Sequence, residues 1–285
     1  MRDPFGPQRI VVDEKVKKAE EACVYLAGRS GLPKGRIKDA MNKGAVRWRK
    51  GGNGAMKRLR RATAPLAVGD DIAFYYDEKL LAIKPLVPEC IADEGQYSVW
   101  YKPADLLSQG NEFGDHCTLL RQAELLLEPR RETFLVHRLD REATGLMLVA
   151  HNGEAAGKLS QLFSGRDVEK HYWVKVKGNF GAVGTQKTLD APIDDKPAIS
   201  QVRVLEVHEG SDTTLLDVKI ETGRKHQIRR HLALAGFPVV GDERYGGPAA
   251  PMLCLTSMSL AFKCPLSGKK RNYSLDAEAV EWIGL

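Results

Sequence analysis

A run of apolar residues that opens directly out of a charged loop constrains this chain more than any other feature. The stretch reads His137-Arg138-Leu139-Asp140-Arg141-Glu142-Ala143-Thr144-Gly145-Leu146-Met147-Leu148-Val149-Ala150. Leu146 to Ala150 is short, apolar and flanked by polar residues, the pattern of a buried strand. Gly145 fits a tight turn just before it. Asp140 is thereby placed on a loop that enters the core of a sheet, with an arginine on either side. A carboxylate held against a buried strand beside cations is poised for chemistry. The same residues also fit a surface loop whose charges pair with one another.

The length of 285 residues allows one large domain or two smaller ones. No apolar run reaches the roughly 18 residues that a membrane helix needs. The opening, Met1 to Pro7, lacks an apolar signal region. The five cysteines are odd in number, and no Cys-x-x-Cys pair exists, so neither a zinc ribbon nor a disulfide framework is expected. These features point to the reducing cytoplasm. His137, His226 and His231 invite a metal reading, but no cysteine or acid completes a ligand set, and they read as hydrogen-bonded side chains. Walker-type loops, dinucleotide glycine fingerprints after a strand and His-Glu-x-x-His helices are all missing, so no metal and no cofactor is expected.

The net charge of +6 is unevenly spread. Residues 1–86 carry 19 Lys and Arg against 10 Asp and Glu, whereas the remainder carries 24 against 27. Within 29–61 there are 12 basic residues and one acid, Asp39. Such density reads as an electrostatic footprint for a polyanion. The alternative is a solvated basic face that binds nothing.

Residues 1–13 read as a loose leader with a short strand over 9–12. Glu14 to Ala27 has helical spacing in Val16, Ala19, Cys23 and Leu26, and Pro33-Lys34-Gly35 opens a second helix over 36–42. Strands follow at 45–49 and 72–76, and 77–90 reads as a connector. Further on, strands are expected at 97–101, 146–150, 168–176, 202–207, 213–220 and 253–262, and helices at 119–127, 154–163 and 225–234. Strands outnumber helices and hairpins are frequent. The expected class is α+β, with a mixed, largely antiparallel sheet. The expected division is a small basic domain over 1–86 with a linker to about 95, then a second domain over 96–285.

Four motifs recur in one order: Tyr101-Lys102-Pro103-Ala104, then the Asp140 stretch, then Lys170-His171-Tyr172 opening a strand. The fourth is Thr222-Gly223-Arg224-Lys225-His226-Gln227-Ile228-Arg229-Arg230-His231, with Gly241-Asp242 and Tyr245-Gly246 beyond it. Together they resemble the RluA-type pseudouridine synthases, which convert uridine in RNA to pseudouridine. The basic N-terminal block, through residues 34–46 and 66–72, resembles a ribosomal-protein-S-four-type RNA-binding domain. The first resemblance implies a pseudouridine synthase fold and a reaction that needs no cofactor. It implies that Asp140, Tyr172 and Arg229 are catalytic and that Arg138, Ile228, Arg141, Lys102 and His226 bind substrate. The second implies that Lys34, Arg36, Lys38, Lys43, Arg47 and Arg49 contact RNA. The expected partner is ribosomal or transfer RNA, and the expected state a monomer. The pattern departs from the family at Asp105, at the short loop after Ile193, and at Lys225 and Arg230, which bears on substrate choice.

The chemistry fits these residue types. Moving a sugar bond from a ring nitrogen to a ring carbon is an isomerisation. It requires an ionised carboxylate aimed at the nucleotide, either to attack the sugar or to take a proton from it. Desolvation raises the pKa of a buried carboxyl, and a fixed cation reverses that. By resemblance Arg229 is the cation, and its planar fork can orient a carboxylate. By the same resemblance Tyr172 stacks on the uracil, Ile228 packs its other face, and Arg138 fills the gap left by an extruded base. Two other readings remain: a catalytically silent RNA-binding or ribosome-assembly factor on the same fold, and a glycosidase using Glu142 as a second acid.

Overall fold

The computed structural model describes residues 8–283. The leader expected at the N-terminus therefore lies, over 1–7, outside the described residues. The chain divides into two compact units, Met1–Leu86 with Gln109–Gln122, and Val87–Ser108 with Ala123–Leu285.

In the first unit four strands pair antiparallel in the order Arg9–Lys15, Asp71–Asp77, Val46–Arg49, Lys57–Arg58. The helices Ala22–Ser30 and Lys34–Asn42 supply the other half of its core, in which Cys23, Leu26, Ile37 and Met41 meet Ile72 and Phe74. The helix expected from Glu14 starts only at Ala22. Glu14 and Lys15 instead continue the first strand, pairing with Ile72 and Asp71. Alternation fits those residues as well as helical spacing does, and the ladder to Asp71–Asp77 decides between them. The segment 109–122 was expected in the second domain but belongs to this unit. Asp115 holds it there, pairing with Arg60 at 2.5 Å and Arg58 at 3.3 Å, while its backbone N–H donates to the Lys43 carbonyl at 3.0 Å. The expected connector also holds structure, a short helix Glu78–Ala82 and a strand Glu89–Asp93.

The second unit is built on one large sheet. Its strands run Gln186–Leu189, Ser200–His208, Thr213–Ile220, Val168–Lys177, Leu255–Lys263, Thr144–Ala150, Tyr97–Lys102, Glu89–Asp93. Every pairing is antiparallel except that of Thr144–Ala150 with Leu255–Lys263, so the sheet is mixed and largely antiparallel and the class is α+β. All seven residues of Thr144–Ala150 are buried, as a strand covered on both faces must be. Gly145 does not make the turn expected of it. It lies inside this strand at φ +108°, and a Cβ there would run into the Ser257 backbone. The glycine is what lets the two parallel strands approach. The short strand Lys270–Ser274, which sequence reading missed, covers one end of Leu255–Lys263. Among the described residues no helix is long and apolar enough to cross a membrane.

Candidate active site

Asp140 sits on the loop that feeds Thr144–Ala150, and the backbone on either side of it is pinned. On one side the Ser108 hydroxyl donates to the Leu139 carbonyl at 2.8 Å and accepts from the Leu139 N–H at 3.1 Å. On the other, Lys102 Nζ donates to the Arg141 carbonyl at 3.0 Å. Lys102 is fully buried, and the carbonyls of Pro103 and Leu106 take its remaining protons at 2.9 and 2.8 Å. Burial pushes its pKa down to about 7, against the pull of the nearby Asp105 charge. Three acceptors around one nitrogen match the three donors of the ammonium form. Lys102 thus ties the loop down from behind and does not line the cavity described below, contrary to the substrate contact expected of it. Arg141 is likewise absent from that lining. Its side chain is exposed and pairs with Asp105 at 3.2 Å.

The second supporting element is the helix Gln227–Leu234. It begins later than expected because His226 takes a left-handed conformation, φ +54°. Gln227 fastens the start of the helix. Its carbonyl accepts from the Thr222 hydroxyl at 2.6 Å and from the Arg224 N–H at 3.1 Å, and its amide donates to the Ile199 carbonyl at 2.9 Å. Two residues on, Arg229 is buried and faces three carboxylates. Its Nε and Nη2 donate to both oxygens of Asp242 at 2.7 and 2.8 Å, the bidentate geometry of a strong pair. Its Nη1 is 3.5 Å from Asp140 and 3.3 Å from Glu142. Burial works against the Arg229 charge, but Asp242, Asp140 and Glu142 outweigh it and raise the pKa above the ordinary arginine value. The expected Arg229–Asp140 pair is present, yet the main partner is Asp242. That residue stood in the fourth motif without a role. Its signal was there to be read: a guanidinium has two usable edges, and one carboxylate satisfies only one of them.

His226 approaches Asp140 from the other side, with Nε2 3.8 Å from Oδ1. Its Nδ1 lies 2.9 Å from the Tyr245 hydroxyl, and the Tyr245 ring also lies under the Arg229 guanidinium at 5.4 Å. Burial lowers the His226 pKa, opposed in part by Asp140. His231 is not a ligand candidate, since its nitrogens lie 2.9 Å from Ser200 Oγ and 2.9 Å from the Ala191 carbonyl. Among the described residues no group of three or more His, Cys, Asp and Glu could hold a metal.

Tyr172 comes from the strand Val168–Lys177, at a register shift between His171 and Tyr172. Bulges of this kind re-aim a side chain. The ring is buried. Desolvation, and secondarily the Asp140 charge, raise its pKa well above the ordinary tyrosine value, so the hydroxyl stays protonated. Asp140, Tyr172, Arg229, Ile228, His226 and Arg138 all line one cavity of about 710 Å³, the size of a small-molecule pocket. Arg166, Lys170, Arg224 and Lys225 also line it, so its surroundings are strongly basic.

Of the six lysines and arginines expected to meet RNA in the first unit, Arg36 pairs with Glu78 at 3.2 Å, Lys43 with Asp39 at 2.8 Å and Arg49 with Asp71 at 2.9 Å. Lys34, Lys38 and Arg47 have no ion pair among the described residues.

Comparison with known proteins bears on this geometry. Residues 96–234 match the family described as RNA pseudouridylate synthase. An uncharacterized RNA pseudouridine synthase of Chloroflexus aurantiacus is 30% identical over 84% of this chain and 79% of the relative. One of Aquifex aeolicus is 42% identical over 39% of each chain. The ribosomal large subunit pseudouridine synthase D of Xanthomonas campestris is 34% identical over 64% of this chain and 57% of its own. The chain thus spans about two fifths and under three fifths of the latter two. Among solved structures, human RNA Pseudouridylate Synthase Domain Containing 1 superposes with a TM-score of 0.56 at 22% identity, covering 66% of this chain and 83% of that one, a likeness of fold.

Proposed function

The chain belongs to the RluA-type RNA pseudouridine synthase family, and from that premise we propose that it isomerises uridine to pseudouridine in ribosomal or transfer RNA. The observation that carries the proposal is the convergence of Asp140, Tyr172 and Arg229, from three separate parts of the chain, on one basic cavity. Asp140 is the reacting carboxylate, acting on the sugar as nucleophile or as base. Arg229, gripped by Asp242, offers it one oriented N–H edge. Tyr172 stacks on the uracil and donates a hydrogen bond from its protonated hydroxyl, while Ile228 closes the other face. Arg138, exposed at the cavity, occupies the gap that the extruded base leaves. Lys34, Lys38 and Arg47 of the first unit contribute phosphate contacts, in keeping with a small RNA-binding domain of the ribosomal-protein-S-four type. Residues this far apart in sequence that meet around one carboxylate favour an enzyme over a silent RNA-binding factor.

The test is pseudouridine mapping of total RNA from cells that lack this protein, before and after incubation with it. New pseudouridine at one or a few uridines is the expected result, with none added by Asp140→Asn protein. If every uridine is unchanged, the proposed activity is wrong.

A further inference from the structure

The cavity contains a charge that the chemistry above does not use. Lys170 is two residues before Tyr172 on the strand Val168–Lys177, about 7 Å along it. It lines the same cavity and is only 5% exposed. No hydrogen bond or ion pair engages its ammonium among the described residues. Its Nζ lies over the face of Phe163, 5.9 Å from the ring centroid. The other charge that acts on it is the cation Arg166, which also lines the cavity. The His137 ring stacks on Phe163, with ring centroids 4.1 Å apart. A buried ammonium without a counter-charge is costly, and proteins rarely keep one unless something supplies the anion. Every other buried cation in this unit has its acceptors: Lys102 has three carbonyls, Arg229 has Asp242, and Lys175 has the Trp282 carbonyl at 3.3 Å.

We propose that Lys170 and Arg166 form a subsite for an RNA backbone phosphate next to the nucleotide held by Tyr172. The inference rests on the reading that this cavity takes a uridine of RNA. It adds the group that anchors that nucleotide. Tyr172 and Ile228 present apolar surface to the base, and Asp140 repels a phosphate, so the anion is directed to the Lys170 end. A phosphodiester brings two non-bridging oxygens carrying one charge. Lys170 meets it as a buried point charge and Arg166 as an exposed one.

Two measurements on the full-length protein test this. The first needs no activity. Inorganic phosphate should raise the melting temperature of the parent protein more than chloride at equal ionic strength. It should not do so for Lys170→Met, which itself melts higher because an unpaired charge has gone. Lys170→Arg should restore the phosphate response, and Arg166→Gln should weaken it. The second uses an RNA that the parent protein is shown to modify. Lys170→Met should raise KM on the order of tenfold, as expected for a lost hydrogen bond to a charged group. Replacing the phosphate on one side of the target uridine by a neutral methylphosphonate should cost the parent the same factor and cost Lys170→Met nothing further. An unchanged KM in Lys170→Met, or a methylphosphonate penalty undiminished in that variant, overturns the subsite. A phosphate response with no methylphosphonate penalty at either linkage makes it a site for free phosphate and overturns the assignment to RNA. If the parent modifies no RNA at all, the proposed activity has failed, and the melting experiment still decides whether Lys170 binds an anion.

Discussion

The two units handle their cations in opposite ways. In the first, a segment with one acid among twelve bases is partly neutralised in space by acids from elsewhere: Asp71, Glu78 and Asp115 reach Arg49, Arg36, Arg58 and Arg60. The arginines of these pairs keep 20–50% of their side-chain surface exposed, and a partly solvated ion pair is worth roughly 0–1 kcal/mol, so the arginine is readily lent to another anion. At the cavity of the second unit the central cation is buried and aimed. Arg229 is 4% exposed at the side chain and Asp242 is 0%, and the pair is bidentate. Removing one partner of such a pair strands a charge and costs about 3–5 kcal/mol. A cation count along the chain therefore overstates the free charge of the first unit and says nothing of the precision of the second.

The largest expected effect lies in the buried unit. Asp140→Asn replaces the ionised carboxylate by a neutral amide and should abolish pseudouridine formation while RNA affinity stays within a few-fold. Residual single-turnover activity in pure Asp140→Asn protein would remove Asp140 from the chemistry. Arg229→Lys comes next. Lysine keeps the charge but cannot grip Asp242 with two nitrogens and still present a third to Asp140. A rate loss on the order of a hundredfold is expected, as for a catalytic group misplaced by about an angstrom. An undiminished rate would show that charge alone suffices and would erase the contrast with the first unit. Tyr172→Phe keeps the ring and loses the hydroxyl. Turnover should fall by about ten- to a hundredfold, with binding nearly unchanged. Equal rates would leave Tyr172 a packing residue.

Two smaller effects sharpen the comparison. Replacing Lys34, Lys38 and Arg47 together by Ala should flatten the plot of log affinity against log salt by about two units, at roughly 0.7–0.9 per phosphate. Replacing the paired Arg36 and Arg49 should change the slope less. Equal slopes in all three proteins would make the first unit a solvated face. The second effect concerns His137, whose ring accepts a hydrogen bond from the Leu148 N–H at 3.0 Å. Burial, with Lys170 nearby, pushes its pKa down to about 3. The unfolded chain takes up this proton near pH 6.5, the folded one only near 3. Its contribution to stability is thus fully present above about pH 6.5 and is lost as pH falls toward 3. Urea midpoints measured from pH 7 to 4 should fall less steeply for His137→Gln than for the parent. Parallel curves would mean that the ring is solvated.

Much of the frame was legible in the sequence because it depends on local pattern. The all-apolar run 146–150 had to be a covered strand, and period-two alternation marked 168–176, 202–207 and 213–220 as strands of one antiparallel sheet. Asp140, Tyr172 and Arg229 stood out through the four motifs, and one cavity receives all three. What escaped depends on contacts between residues distant in the chain. Glu14 is strand rather than helix because Ile72 is there to pair with it. Gly145 was read as a turn, but its reason is the Ser257 backbone, more than a hundred residues away. Segment 109–122 joins the first unit because Asp115 finds Arg58 and Arg60. Lys102 and Lys170 look alike in the sequence, each just inside a motif. Only the tertiary structure separates them, by surrounding one ammonium with three carbonyls and leaving the other facing an open cavity. Periodicity and residue type are properties of the chain and determine which elements form. Partners of a buried charge are set by which elements meet, and no local pattern encodes that.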